Sequence, residues 1–495
     1  MVFNGLKFAT ICQADGKKQT GIQLTTQIKK KAACLSAVGV QERDHLIISH
    51  ANSIEFFTDL FAVWLVGACA VCINPGLVTN EKKRIIELVK PRLELRGLTE
   101  ERADSNPIDQ LHLNSMLSVN DFVEYELPGG GAIDDPALIL FTSGTTGEPK
   151  GVVHSFRSLY ARVSLNLHQF VEGQLKTVLC PLPTYFGHGL IGICLTTLIG
   201  GRRLVLCDGS SVGTLAKFGE LIDQEKVTFL SSVPSLWRLI LRLSTPPKAN
   251  SLKRVFVGSA PLNANLWRSI IEWSGGCEVA NVYGITETAN WIGSGSPVCD
   301  VPEDGFVGRV WDGHAAVLSE SGQVELTGHG EVIVQTPSIM QGYFQRPSDT
   351  RSALVGGYFR TGDLGKIDED GSIRILGRVK TQINRGGVKI LPEELDALIG
   401  QSDLVHDVAT FGISDEVAGE LVGVALVLQR SPVNDHDRAM IISELREWIR
   451  DKIAPDKQAD KFFIVDSLPT NRNGKLDRKK LRELCESGAL GQARI

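Results

Sequence analysis

The chain carries the run LFTSGTTGEPKG at residues 140–151, whose first two residues end the apolar segment Ala137–Phe141. The pattern predicts a buried strand that leads into a loop rich in glycines and hydroxyls, followed by a helix with Ser155 as its N-cap. Glycines let backbone N–H groups converge on anionic oxygens, hydroxyls donate further hydrogen bonds, and Lys150 adds a positive charge. The spacing is neither G-x-x-x-x-G-K-[ST] nor G-x-G-x-x-G. The run therefore indicates a phosphate-binding loop, with a plain Ser/Thr/Gly surface turn as the alternative.

Helix-period and strand-period segments alternate on both sides of this loop. Before it, the pattern predicts helices Thr26–Val38 and Ser53–Val66 and strands His45–His50 and Ala68–Ile73, and then a polar connection over 97–135. After it, strands are predicted at Thr177–Leu179, Arg203–Leu206, Thr228–Ser231, Arg254–Val257 and Glu278–Val282. Such alternation is typical of parallel strands covered by helices.

The pattern changes at Gly305. Short strands separated by turn residues predict a small antiparallel β unit, at Val324–Leu326, Glu331–Val334, Gly365–Asp368 and Ile373–Leu376. The last stretch predicts helices Pro392–Leu398 and Ala439–Lys452, and strands His406–Ile413, Leu421–Leu428 and Lys461–Val465. The expected class is α/β: a large N-terminal domain, residues 1–379, of doubly wound βα subdomains plus the antiparallel unit, and a small α+β C-terminal domain, residues 380–495.

Composition excludes several classes of protein. The chain has 495 residues and a formal net charge of -5, without a basic tract, which argues against a dedicated binder of nucleic acid or anionic membranes. The apolar run Leu60–Ile73 is shorter than the ~20 residues of a membrane-spanning helix. No signal peptide is predicted, and ten scattered cysteines, including the pair Cys69 and Cys72, indicate free buried thiols in a reducing compartment. We expect a cytoplasmic protein.

The run at 140–151 resembles the signature loop of the acyl-adenylate-forming superfamily: acyl-CoA and aryl-CoA ligases, nonribosomal peptide adenylation domains and beetle luciferases. Further blocks of the chain resemble that family's motifs in the same order, from about Gln23 to Leu481. These are the adenine motif at 281–287, the ribose motif at 358–364, the hinge at 377–380 and the C-terminal motif at 469–478.

The resemblance implies which residues bind ATP and AMP. Asp363 would accept hydrogen bonds from the ribose hydroxyls, Thr286 would reach the α-phosphate, and Glu287 is a hard oxygen ligand suited to Mg²⁺. The other nucleotide-binding residues implied are Thr142, Ser143, Gly144, Thr145, Thr146, Lys150, Ser259, Ala260, Asn281, Val282, Tyr283, Gly284 and Arg378.

The C-terminal part is implied to be mobile. Lys475, in the sequence Asn-Gly-Lys, would be the catalytic lysine that bridges the acyl carboxylate and the α-phosphate. The C-terminal domain would then rotate about Lys380, although Thr381 stands where the family often has an acidic residue. The rotation would bring Arg385, Gly386 and Gly387 to the channel of the incoming thiol.

The implied acyl pocket is lined by Tyr185, Phe186, Val233, Trp237, Gly258 and Ile285. The segment around Phe186 resembles aryl-CoA ligases and lacks the aspartate that amino-acid-activating domains carry. His188 is a candidate catalytic residue that gates the pocket or sits beside the carboxylate; simple packing is the alternative.

The resemblance implies ATP-dependent activation of a small carboxylic acid to acyl-AMP, then transfer to coenzyme A, with ATP, Mg²⁺ and coenzyme A as cofactors. An aromatic or medium-chain acid is expected. Because residues 473–478 resemble carrier-loading enzymes, the alternative acceptor is the phosphopantetheine of a separate carrier protein. Two further functions stay open, namely adenylation without a thioester product and nucleotide binding without catalysis. No nucleic-acid partner and no membrane span are expected, and the chain would be a monomer or homodimer.

Overall fold

A computed structural model describes residues 5–50, 52–96, 132–142, 150–296, 301–386, 388–430, 432, 434–450, 452–470 and 476–490. The chain divides into two compact units. The first comprises residues 1–302, 308–314 and 335–359, and the second comprises 303–307, 315–334 and 360–495. The chain passes from the first unit to the second for the last time after Phe359. The boundary predicted between residues 379 and 380 concerns which part moves, and it stays a prediction.

The first unit contains a mainly parallel sheet whose central strands were predicted, with the unpredicted strand Asn290–Gly295 at one end. Its order is Asn290–Gly295, Glu278–Ile285, Arg254–Gly258, Phe229–Ser232, Thr177–Cys180, Arg203–Leu206, Thr10–Gln13 and Lys18–Thr20. Only the two outermost pairings of this run are antiparallel. The N-terminal hairpin of Thr10–Gln13 and Lys18–Thr20 was not predicted, because short polar strands have no clear hydrophobic period.

A second sheet of the first unit holds the strands beside the predicted phosphate loop. Its order is Gly342–Tyr343, Lys150–Ser155, Pro136–Thr142, Cys69–Cys72, His45–Ser49 and Leu93–Arg96. Strands from Pro136–Thr142 to Leu93–Arg96 run parallel, whereas Lys150–Ser155 returns antiparallel to Pro136–Thr142. The strand Lys150–Ser155 is an addition to the prediction, which had the helix directly after the loop.

Helices cover these sheets, and side-chain caps fix where several of them begin. Ser53 and Ser155 accept a hydrogen bond from the backbone three residues on, and Thr20 forms a capping box with Gln23, so the first helix starts earlier than predicted. The α-helices are Gly21–Ala37, Ile54–Leu65, Thr79–Val89, Phe156–His168, Thr196–Ile199, Val212–Ala216, Phe218–Glu225, Pro234–Leu243, Ala264–Trp273 and Pro347–Ser352; a π-helix spans His188–Leu195, and 3₁₀ turns span Leu6–Phe8 and Thr286–Thr288.

Short strands make up most of the structure between residue 302 and residue 378. Val324–Glu325, His314–Leu318, Gly328–Gln335, Tyr358–Ile367 and Ile373–Arg378 lie side by side in that order; Leu354–Val355 adds to Tyr358–Ile367, and Phe306–Val310 pairs with Asn290–Gly295 through Arg309 and Val310. The pair Tyr358–Ile367 and Ile373–Arg378 is antiparallel. The small antiparallel β unit is thereby confirmed.

The C-terminal part of the second unit has its own sheet and core. The sheet order is Val388–Ile390, Ile383–Arg385, Gly419–Leu428 and Val405–Asp415, with Lys461–Ile464 added parallel to Gly419–Leu428. The helices are Pro392–Ile399, Asp435–Arg450 and Arg478–Glu486, and 3₁₀ turns span Val379–Thr381 and Pro455–Lys457. A cluster that includes Ile390, Leu395, Val424 and Leu445 packs the first of these helices onto the sheet. The α/β class with a large N-terminal and a smaller C-terminal part is confirmed.

None of the helices in the described part of the chain is long and apolar enough to cross a membrane. Cys69 and Cys72, the predicted structural pair, lie buried in one strand, and burial raises the pKa of both thiols well above its ordinary value.

Candidate active site

The parallel strands of the first sheet end at one edge, and the predicted nucleotide and acyl residues follow those ends. Gly258 ends its strand opposite Val282, and a Cβ on Gly258 would lie 2.4 Å from the carbonyl oxygen of Val282. Only glycine therefore permits the two strands to meet here. Polar groups at the carboxyl edge of a parallel sheet are the usual ligand site of an α/β protein.

Ser259 has a left-handed backbone, with φ of 67°, and His188 holds its side chain. The Nδ1 atom of His188 lies 2.9 Å from Oγ of Ser259, and Nε2 lies 2.7 Å from Oγ of Ser231. His188 is 1% exposed, and its ring packs edge-on against Trp291. The structure thus places His188 between the ends of two strands, where it orients the predicted nucleotide residue Ser259. A direct catalytic role for His188 stays a prediction.

The other predicted acyl-pocket residues differ in exposure. Tyr185 and Phe186 are half-buried just before the π-helix, and Ile285 is half-buried at the end of its strand. Val233 is buried, and Trp237 is 0% exposed with its ring packed edge-on against Trp273. Their contact with an acyl group stays a prediction.

The segment from Asn281 to Glu287 combines a buried strand end with a half-buried turn. Asn281, Val282 and Tyr283 are buried, whereas Gly284, Thr286 and Glu287 are half-buried. Tyr343 donates its hydroxyl to Oε1 of Glu287 over 2.8 Å. A tyrosine therefore orients the predicted magnesium ligand. Tyr343 is not among the site residues predicted from the sequence.

Lys150 lies at the end of the predicted phosphate loop. Thr142 and Lys150, the described residues on either side of the predicted loop, pair across their two antiparallel strands. Nζ of Lys150 is 2.6 Å from Oδ2 of Asp349 and 5.0 Å from the centroid of the Tyr343 ring. The loop residues Ser143, Gly144, Thr145 and Thr146 lie outside the described residues, and Ala260 follows Ser259 in a half-buried bend.

Asp363 and Arg378 meet in the second unit. The two residues face each other across antiparallel strands, and Nε of Arg378 lies 2.6 Å from Oδ1 of Asp363. The carboxylate is buried while the arginine side chain is 52% exposed. Two residues that the resemblance assigned to the same nucleotide are thus neighbours.

The predicted hinge and thiol-channel residues also lie in the second unit. Lys380 is exposed on the 3₁₀ turn Val379–Thr381. Arg385 pairs with Asp460 over 2.6 Å, and Gly386 has a left-handed φ of 57°. Gly387 lies outside the described residues, so the predicted channel is only partly described.

Lys475, the predicted catalytic lysine, lies outside the described residues. Thr470 and Leu476, the described residues on either side of it, form an isolated antiparallel bridge with each other. Arg478, three residues further on, donates to the carbonyl of Thr410 over 2.9 Å and pairs with Asp396. The end of the motif is therefore anchored to the core of the C-terminal part.

Two residues that sequence reasoning missed support the turn at 286–288, one directly and one through a serine. His154 touches the carbonyl of Thr286, and Arg162 reaches Ser338, which donates to the carbonyl of Thr288. Ser158 and Arg162 stand four positions apart on one helix, which puts them on the same face, whereas His154 lies on the preceding strand and no local pattern connects it to the turn.

The first unit has parallel strands with polar groups at their carboxyl ends. The second unit has the pair Asp363 and Arg378. These features are typical of an α/β ligand-binding protein of two parts. Comparison with known families is more specific. The family model described as AMP-binding enzyme matches residues 5–344, and the model of the AMP-binding enzyme C-terminal domain matches residues 394–475. The chain belongs to the AMP-binding enzyme family, within the acyl-adenylate-forming superfamily.

Its relatives carry the names of ligases. The chain is 30% identical to "Probable CoA ligase CCL5" of Humulus lupulus, over 97% of this chain and 91% of that protein. It is 29% identical to 2-succinylbenzoate–CoA ligase of Bacillus subtilis (strain 168), over 94% and 93%. The structure superposes on that of o-succinylbenzoate coenzyme A synthetase from Bacillus subtilis in complex with ATP and magnesium ion, with a TM-score of 0.83, 27% identity and coverage of 95% and 96%.

Proposed function

We propose that this chain is an AMP-forming carboxylate–CoA ligase. It would join a carboxylic acid to ATP as acyl-AMP, with release of pyrophosphate, and then transfer the acyl group to the thiol of coenzyme A. The observation that carries this proposal is the similarity to CoA ligases over almost the whole chain, both units included.

Glu287 is the residue we assign to magnesium. Its half-buried carboxylate is oriented by the hydroxyl of Tyr343, and magnesium in nucleotide sites takes one or two carboxylates together with phosphate oxygens. The donor chemistry therefore fits. When bound, the ion would neutralise charge on the phosphates, while the half-buried Thr286 would donate its hydroxyl to the α-phosphate.

Asp363 and Arg378 are the residues we assign to the ribose. A buried carboxylate can accept hydrogen bonds from two neighbouring hydroxyls, and Arg378 already holds one of its oxygens. The guanidinium is about half exposed, so water can solvate it when its contact shifts to a ligand.

Lys475 is the residue we assign to the first half-reaction, where it would bridge the carboxylate and the α-phosphate as negative charge builds. A rotation about Lys380 would then withdraw it and present Arg385 and Gly386 to the thiol. The left-handed backbone of Gly386 suits a tight loop of this kind.

The acid that we propose is aromatic or medium-chain aliphatic, since Tyr185 and Phe186 are half-buried where the acyl group would enter. We further propose a cytoplasmic monomer or homodimer. Sedimentation velocity and cell fractionation would test these two statements.

The deciding experiment measures AMP and pyrophosphate with a panel of aryl, fatty and amino acids, with and without coenzyme A. We expect one acid class to give AMP and an acyl-CoA, and Lys475→Ala to lose adenylation. Lys479→Ala is the matched control, because that lysine is exposed on the neighbouring helix and pairs only loosely with Glu483 at 4.0 Å.

The remaining outcomes distinguish the competing functions. Adenylation that ignores coenzyme A would indicate a carrier protein as acceptor, in keeping with the sequence of residues 473–478. An ATP-dependent product without a thioester would indicate another adenylation, and no ATP cleavage with any acid would refute the ligase proposal.

A further inference from the structure

The turn Thr286–Thr288 is held from outside at each of its three carbonyl groups. The carbonyl of residue 286 lies 2.8 Å from Nε2 of His154. The carbonyl of residue 287 accepts the backbone N–H of Met340 over 2.8 Å, and that of residue 288 accepts the hydroxyl of Ser338 over 2.9 Å. A single 3₁₀ turn has few internal hydrogen bonds, so these external donors fix its backbone.

His154 donates to the turn as a neutral group. It is 0% exposed on the strand Lys150–Ser155, and burial lowers its pKa to about 4. Because a carbonyl only accepts, the one proton of the neutral ring belongs on Nε2, which points at Thr286. Nδ1 then faces the hydroxyl of Ser158 at 3.2 Å.

Arg162 supports the second donor. It is 0% exposed, and its Nε and Nη2 donate to Oγ of Ser338 over 3.1 and 2.6 Å, while Nη2 also donates to Thr336 over 3.0 Å. Burial lowers its pKa to about 9, so it keeps its charge at neutral pH. A buried cation therefore fixes the hydroxyl that holds the carbonyl of Thr288.

We infer that His154 and Arg162 are positioning residues for catalysis. By fixing the turn at 286–288 they hold Thr286 and Glu287 in place, and the inference rests on the proposed function of those two residues. Tyr343 orients the carboxylate itself, whereas His154 and Arg162 fix the backbone from which it projects. A magnesium ligand displaced by a fraction of an ångström loses much of its effect on the rate.

The test removes the hydrogen-bond donor at position 154 with one substitution and keeps a donor there with another. His154→Phe removes the hydrogen bond with little change of volume, and His154→Gln keeps an N–H group. For His154→Phe we expect kcat of acid-dependent pyrophosphate exchange to fall about tenfold, as the loss of one well-placed buried hydrogen bond implies. We also expect the magnesium concentration for half-maximal rate to rise, the KM for the acid to stay, and His154→Gln to recover most of kcat.

Asn166→Leu is the matched control. Asn166 lies one turn further along the same helix as Arg162, is equally buried, and donates to Thr196 rather than to the turn. It should lower the melting temperature and leave both kcat and the magnesium dependence unchanged. Should His154→Phe fold poorly, Ser338→Ala removes the donor to Thr288 with the loss of one atom, and the same split between kcat and KM is expected.

The result that overturns the inference is a lower melting temperature with wild-type kcat and magnesium dependence in both His154→Phe and Ser338→Ala. That pattern would make the contacts structural only. Wild-type protein that neither exchanges pyrophosphate nor binds magnesium–ATP by calorimetry would refute the proposed function, and this inference with it. The two failures are distinguishable because the first leaves the wild-type enzyme active.

Discussion

The turn at 286–288 and the Asp363–Arg378 pair are both predicted to contact the nucleotide, yet they are held in opposite ways. In the turn, each of three successive carbonyls accepts a hydrogen bond from a buried donor. The fully buried His154 is one of these donors, and the fully buried Arg162 orients another, Ser338. The pair is held through an arginine whose side chain is 52% exposed. The first unit thus fixes in advance the groups that we assign to the reaction, while the second unit presents a half-exposed arginine contact that a ligand could exchange.

The largest effect is expected at the fixed turn itself. Glu287→Gln removes the charge that would hold magnesium but keeps an oxygen for Tyr343, and we expect kcat for acyl-AMP formation to fall about 1,000-fold, or ~4 kcal/mol. Stopped-flow measurement of pyrophosphate release would check it. A variant within threefold of wild type would remove Glu287 from the reaction.

The next effect is a loss of stability at acidic pH, caused by the buried His154. The folded pKa of His154 is about 4, below its ordinary value, so the unfolded chain takes up a proton first as the pH falls. The contribution of neutral His154 to the free energy of unfolding is therefore fully present above pH 6.5. It decreases towards pH 4, by on the order of 3 kcal/mol at most. Urea titrations at pH 7 and pH 4.5 should show a smaller loss in His154→Gln.

His168 provides the control for this pH prediction, since it is exposed at the end of the helix Phe156–His168, which follows the strand of His154. His168→Gln should lose as much stability as wild type between the two pH values. Equal losses in wild type and His154→Gln would contradict the assignment of the effect to His154.

The exchangeable pair should give a moderate effect on binding rather than on the chemical step. Arg378→Ala removes the partner of Asp363, and we expect the KM for ATP to rise about tenfold, or ~1.4 kcal/mol, with kcat nearly unchanged. Steady-state kinetics at saturating acid would check this. A fall in kcat with constant KM would make the pair as much a part of the fixed machinery as the turn.

The smallest effect is expected at Lys150, whose pairing with Asp349 is partly exposed. Lys150→Met should reduce the free energy of unfolding by at most about 1 kcal/mol, because partly exposed ion pairs contribute little. The melting temperature of Asp349→Asn should fall by a similar amount. A much larger rise in the KM for ATP in Lys150→Met alone would show that Lys150 serves the phosphates rather than Asp349.

The sequence predicted the sheets well because their strands are apolar runs bounded by turn residues. Arg203–Leu206 matches to the residue, and the long C-terminal strands differ only at their ends. The missed strands include the N-terminal hairpin, Leu93–Arg96, Lys150–Ser155 and Asn290–Gly295. Lys150–Ser155 owes its conformation to pairing with Pro136–Thr142, which no local pattern announces.

Site residues that belong to a recognisable motif could be predicted from the sequence. Residues from distant segments that hold those site residues in place could not. Asp363 and Arg378 are separate in sequence but were assigned to one ligand, and the structure brings them together. The contact of His154 with Thr286 joins residues 132 positions apart. Such long-range contacts depend on how strands and helices pack, and a single sequence carries no record of that packing.

The bridge from His188 to Ser259 has a consequence for how this family can vary. A left-handed serine is held at a cost on the order of 1–3 kcal/mol, and His188 and Ser231 together keep it there. A chain that loses His188 should gain from glycine at position 259, whereas a chain with glycine there has less need of the histidine. Substitutions at positions 188, 231 and 259 are therefore expected to be correlated among related proteins.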